Sequence, residues 1–192
     1  TYLPEHYEMY CSALEQWQHE CEEDIALLKK INVPGFVADE DLEKVRPVLE
    51  AMGTTITHVG PTGAGQLTKA INQIIVAGTY WSVAEGLSLG IKAGLDMAKV
   101  VQAVGGGAAG SWGLTNRSGN MIANDYPLGF RVKLHHKDLN IALNVARELG
   151  VTLPVTALVE QAETGLITRG FGDEDVSAMA RSIREASGIE AE

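Results

Sequence analysis

Lys69 and Asn72 stand three residues apart behind a glycine-rich turn, in the stretch GPTGAGQLTKAINQ that also holds Gly60, Gly63 and Gly65. Three residues is close to one helical turn. Both side chains therefore lie on one face near a helix start, where unpaired N–H groups and the helix dipole attract an anion. That combination suits a small carboxylate. A lysine partly withdrawn from water beside those positive dipole ends has its pKa lowered, and it can exchange a proton with a substrate hydroxyl. The plainer reading of the same spacing is a solvated first-turn lysine after a tight connection.

Two nucleotide-binding readings of this turn fail. A dinucleotide fingerprint needs G-x-G-x-x-G leaving a buried strand, whereas the order here is G-x-x-G-x-G and no βαβ pattern follows. A phosphate-binding loop of the Walker type needs a lysine directly after a glycine and before Ser or Thr, and Lys69 has neither neighbour. His135 and His136 are adjacent and point about 100° apart on a helix, so they cannot both ligate one metal; they read as surface or hydrogen-bonded residues, and no metal site is expected. Glu85, among apolar residues in mid-helix, reads as a buried, hydrogen-bonded or interface residue before an active-site acid.

The elements that must position these residues are helical. Residues 5 to 31 place Tyr7, Tyr10, Leu14, Trp17, Cys21, Ile25 and Leu28 at steps of three or four, one apolar stripe on an acidic helix that Pro34 and Gly35 end. Residues 39 to 52 form a short helix with an acidic start, and Thr54 to Gly60 is a short β-prone segment. From about Gln66 to Ala93 the chain is apolar on most faces and free of proline, a span of roughly 42 Å. Such a helix is expected at the centre, covered on nearly all sides. Shorter helices follow at Met97 to Val104, 112 to 123, 134 to 149, 154 to 168 and 173 to 186, punctuated by Gly94, the Tyr126-Pro127-Leu128-Gly129 turn, Gly150, Pro154 and Gly170. The expected fold is all-α: a multi-helix bundle around a long central helix, with an N-terminal amphipathic helix.

Composition agrees with a globular chain. Of 192 residues 45% are hydrophobic and 21% charged, enough apolar matter for a core and no sign of disorder. The formal charge of −10, without a Lys/Arg cluster, argues against nucleic acid. No apolar run reaches the roughly 18 uninterrupted residues of a membrane span. No secretory signal pattern opens the sequence. Cys11 and Cys21, ten apart on one helix, are separated by about 15 Å and cannot pair there. Free thiols point to a reducing cytoplasm.

Five blocks, in order, carry a family resemblance: GPTGAGQLTKAINQ, AEGLSLGIKAGLD, GGGAAGSW, GFRVKLHHKDLNIAL and LPVTALVEQ. Together they resemble the C-terminal, 6-phosphogluconate dehydrogenase-like domain of the β-hydroxyacid dehydrogenases, on the side of the family that includes tartronate semialdehyde reductase and 3-hydroxyisobutyrate dehydrogenase. The match runs from about residue 40 to 186. It implies that Lys69 is the general acid/base and that Asn72, with Gly63 and Gly65 of the turn, holds a small carboxylate-bearing substrate. It implies that GGGAAGSW is a loop closing near the substrate, with Ser111 touching it and Trp112 shielding it; a plain loop with an anchoring tryptophan is the equal alternative. Lys137 resembles the lysine that reaches toward substrate and nicotinamide, and Asp138 the acid beside it at the helix start. NAD or NADP is the implied cofactor and a homodimer or higher oligomer the implied assembly.

The resemblance divides the chain into residues 1–38, unlike the family; 39–60, similar to the last helix and strand of a nucleotide-binding domain; and 61–192, the helical substrate-binding and dimerisation domain. Before residue 53 the only glycine is Gly35, so nothing there brings backbone close to a pyrophosphate and the Rossmann domain is expected to be absent. Three functions follow as expectations: the catalytic and substrate half of an NAD(P)-dependent β-hydroxyacid dehydrogenase, inactive without a nucleotide-binding domain; a non-catalytic dimerisation module; or a small-acid binder.

Overall fold

The computed structural model describes residues 39–51, 55–61 and 63–189; the apolar stripe of residues 5 to 31 and both cysteines lie outside them. The chain divides between Lys69 and Ala70 into two compact units. Among the described residues every regular element is helical. In the first unit α1 spans Asp39–Glu50. Residues 55–59 have no regular structure, so the β-prone letters there form no strand. A strand needs a neighbour for its ladder.

Gly60 and Gly63, with φ of 136° and 94°, turn the chain into α2, Ala64–Lys92, and Ala64 N–H donates to the Pro61 carbonyl at 2.9 Å. Both φ values lie where a Cβ is strained, which is what the glycines are for. From Ala70 onward α2 buries Gln73, Ala77, Tyr80, Ala84 and Leu87, a single stripe at steps of four and three. Among the described residues of the second unit the cover expected on nearly all sides is incomplete. Ile75 is 62% exposed and Leu89 74% exposed, on faces that no other described helix of this unit covers. By length and composition α2 is also long and apolar enough to cross a bilayer, although its buried stripe belongs to the protein core.

Gly94, at φ 71°, ends α2 with Leu95 N–H returning to the Gly90 carbonyl at 3.0 Å. Asp96 then caps α3, Met97–Gly105, by accepting from Lys99 N–H at 3.2 Å. A Cβ on Gly90 would stand 2.7 Å from Met97 Sδ, so the thioether of α3 packs directly on the α2 backbone here and would have to shift for any larger residue. Next come α4, Trp112–Ala123, α5, Val132–Leu149, and α6, Pro154–Thr168. Gly150 ends α5 in the left-handed region and Pro154 opens α6, so α5 and α6 form a helical hairpin. Helix α7 spans Met179–Ala186.

The sequence predicts the last helix from residue 173, but it starts six residues later. Residues 176–178 form a 3-10 turn instead, because Asp175 turns its carboxylate inward. It is 1% exposed and accepts from Phe130 N–H at 3.0 Å, Ser177 N–H at 3.0 Å and Ser177 Oγ at 2.6 Å, while Arg117 Nε lies 3.2 Å away. A single antiparallel bridge joins Arg131 to Asp175. One carboxylate thus ties α4, the 129–131 turn and the last helical segment. Beside it Arg181 lies between the rings of Tyr126, at 5.0 Å, and Phe171, at 4.1 Å, and its Nη2 donates to both Glu174 oxygens at 2.9 Å. The core they close includes Tyr80, Leu87, Met121, Leu139, Val159, Leu166 and Met179.

Asp175→Ala should lower stability by about 3 kcal/mol, because it orphans several buried donors and one partly buried guanidinium. The midpoint of urea unfolding measures this. Tyr126 offers a second check: burial pushes its phenol up to about 12, against the weaker opposing pull of Arg181. A raised folded value favours the neutral phenol, so its contribution to stability is full below the ordinary value near 10 and is lost as pH climbs toward 12. In an alkaline titration followed by tyrosinate absorbance, the Tyr126 phenol should lag and ionise together with unfolding, and Tyr80, whose value burial also raises, should lag as well.

Candidate active site

The chemistry-bearing residues of the second unit converge where α2 meets the start of α5. Asn72, exposed, donates through Nδ2 to Gln73 Oε1 at 2.9 Å. Gln73, 2% exposed, donates through Nε2 to Asp138 Oδ2 at 2.6 Å. Asp138 Oδ1 in turn lies 3.4 Å from Lys137 Nζ. Residues 72, 73, 137 and 138 are thus joined in one bonded series, although the sequence separates its halves by 65 positions. Lys69 lies in the first unit, exposed, on the opening turns of α2.

Beneath this series two histidines brace α5 against α6. His135 is fully buried, with Nδ1 2.6 Å from Glu163 Oε1 and Nε2 3.3 Å from the Gln73 carbonyl oxygen. Burial pushes the Glu163 carboxyl above its ordinary value even with His135 beside it. His136 Nε2 lies 2.8 Å from Glu160 Oε1 and 2.9 Å from Thr164 Oγ1. Burial works against the charge on Glu160 as well, but hydrogen bonds from Gln161, Thr164 and His136 hold its carboxyl below the usual value. The two histidines therefore serve different carboxylates, as their angular separation on a helix requires.

The other candidate residues have these local settings. Gly63 immediately precedes α2, and Gly65 sits exposed in its first turn with no atom near where a Cβ would be. Ser111 caps α4, its Oγ accepting from Leu114 N–H at 3.1 Å, and its own hydroxyl proton remains for another acceptor. Trp112 is 62% exposed, with the Arg117 guanidinium 4.8 Å from its ring centre, so it is not anchored in the core. The glycines at 105, 106, 107 and 110 have the letters G-x-G-x-x-G, yet they join two helices, and Gly110 N–H closes on the Gly107 carbonyl at 2.9 Å. Glu85 is exposed and accepts from Trp81 Nε1 at 2.8 Å.

Sequence reasoning missed Gln73, Glu160 and Glu163. The signals available were weak ones: Gln73 lies four residues after Lys69, and Glu160, Glu163 and Thr164 share a face at helical spacing, as do His136 and Asn140 opposite Glu160.

Comparison with known proteins follows the same blocks. Residues 63–183 match the family described as NAD-binding of NADP-dependent 3-hydroxyisobutyrate dehydrogenase. The chain is 40% identical over 141 residues to 2-hydroxy-3-oxopropionate reductase of Escherichia coli, covering 73% of this chain and 48% of that one. It is 36% identical over 148 residues to 2-(hydroxymethyl)glutarate dehydrogenase of Eubacterium barkeri, covering 77% and 49%. Among solved structures, 3-hydroxyisobutyrate dehydrogenase of Mycobacterium tuberculosis with L-serine superposes with a TM-score of 0.70 at 27% identity, over 77% of this chain and 53% of that one. The chain spans about half the length of the relatives it matches. The matched family covers most of the second unit, and the chain belongs to the 3-hydroxyisobutyrate dehydrogenase family of oxidoreductases.

Proposed function

We propose that the chain is the substrate-binding, acid/base half of an NAD(P)-dependent β-hydroxyacid dehydrogenase, a domain of the C-terminal kind, acting on a semialdehyde and the corresponding 3-hydroxy acid. The observation that carries this is the bonded series Asn72–Gln73–Asp138–Lys137. It joins the two sequence blocks whose resemblance assigns them to substrate and nicotinamide. In this reading Lys69 gives a proton to the substrate oxygen in reduction and takes it back in oxidation. Asn72 orients that oxygen, Gly63 and Gly65 leave room for the substrate, and Ser111 offers its hydroxyl proton to the substrate carboxylate.

The described residues suit one end of a nicotinamide cofactor. Lys137, partly buried and held beside Asp138, is a fixed donor for the nicotinamide end. No glycine turn between a strand and a helix, of the kind that cradles a pyrophosphate, occurs among the described residues. When bound, the cofactor supplies or accepts the hydride. Turnover then requires a nucleotide-binding domain besides these residues.

The open face of α2 supports a second copy of the chain as partner. Ile71, Ile75 and Leu89 on α2, with Val155 and Leu158 on α6, are large, apolar and exposed. Exposed apolar surface of that kind is the mark of an interface. The protein should therefore run as a homodimer or larger in light scattering at micromolar concentration, and a monodisperse monomer would remove this part of the reading.

Lys69 gives the test of the chemistry. In an assembly that turns over, Lys69→Ala should lower kcat by about 10²-fold or more, the range for loss of a general acid/base, with the helical signal and melting unchanged. Steady-state kinetics with a semialdehyde check this. An unaltered kcat takes Lys69 out of the mechanism.

A further inference from the structure

The two ends of a glutamine side chain are chemically unlike, and Gln73 uses both. Its Nε2 faces Asp138 Oδ2 at 2.6 Å and its Oε1 faces Asn72 Nδ2 at 2.9 Å. An ionised carboxylate only accepts, so Asp138 selects the NH2 end of Gln73. That leaves an oxygen toward Asn72, which only the NH2 end of Asn72 can answer. The order of donors and acceptors therefore runs one way from Asp138 outward. That bond uses one of the two Nδ2 hydrogens of Asn72 and fixes which way its amide faces, so that Oδ1 is turned away from Gln73 and can accept from a ligand.

Gln73 is also held from behind. Its carbonyl oxygen lies 3.3 Å from His135 Nε2, and His135 is fixed by Glu163 at 2.6 Å. All three residues are buried, so water cannot stand in for a lost bond. We propose that Gln73 is a positioning residue, which fixes the amide of Asn72 so that the site receives a ligand hydroxyl as donor. This rests on the hydroxyacid reading given above. It adds to it the residue that decides which end of Asn72 the substrate meets.

The experiment titrates the full chain with 3-hydroxypropionate and with propionate, which lacks the hydroxyl, and follows the side-chain amides by NMR. The hydroxy acid should bind about 3- to 10-fold more tightly, the worth of one hydrogen bond. Gln73→Met keeps the volume without either amide end, and it should bring the two affinities within about twofold of one another. Asn72→Ala should do the same, and the double variant should add nothing. A purely structural Gln73 would weaken both acids alike and leave their ratio intact, which would overturn the proposal.

Should Gln73→Met fold poorly, Asp138→Asn is isosteric and removes the acceptor-only partner. The Gln73 amide can then face either way, and the preference for the hydroxy acid should fall as it does with Gln73→Met. A readout without ligand separates this inference from the reading it rests on: the Asn72 amide should be ordered in the native chain and mobile in either variant. Equal order in all three overturns the positioning role, whatever binds. Loss of order in the variants, with neither acid binding the native chain, would uphold the positioning and remove the hydroxyacid reading.

Discussion

The bond between Gln73 and Asp138 crosses from α2 to α5 inside the protein, and the arrangement of the site depends on it. A carboxylate with little access to water is costly unless donors surround it. Asp138 sits in the second turn of α5, and α2 brings it a donor from the far side of the sequence. The same residue of α2 meets His135 through its backbone. Two ties at one residue fix α2 against α5, and Asn72 and Lys137 take their places as a consequence. Neither of those two residues determines its own position.

Polar groups settle the remaining joints of the helical body in the same manner. His135 and His136 brace α5 against α6 through Glu163 and Glu160, and Asp175 gathers three segments around one carboxylate. Apolar burial supplies the driving force for compaction, but it has no direction. Hydrogen-bonded carboxylates have direction, and in this protein they choose which helix faces meet.

Helix boundaries were legible because they are set locally. Ser111 and Asn124 bracket α4, and Pro154 opens α6, at the residues where the letters place them. The pairing of Lys69 with Asn72 on one helix face was legible for the same reason, since spacing alone determines it. What escaped was decided by partners far along the chain. Nothing near Gln73 announces a carboxylate 65 residues later. The apolar character of α2 on most of its faces hid which stripe the core would take. The letters after residue 173 read as helix, and only the pull of Phe130, Ser177 and Arg117 on Asp175 makes the chain turn first. Thr54 to Gly60 has the composition of a strand but, among the described residues, no strand to join.

Arg181 shows what such packing means for sequence drift. A guanidinium is flat, so it can stack on the rings of Tyr126 and Phe171 while its Nη2 reaches both oxygens of Glu174. An ammonium is round and more strongly hydrated. Exchange for lysine would keep the charge and much of the length, and even a donor for Glu174, yet it would lose the flat face that stacks on both rings. Two rings and an acid from three separate places in the chain thus close this position to its nearest chemical cousin. Among relatives of this protein, tolerance at 181 should follow the shape of the side chain more closely than its charge.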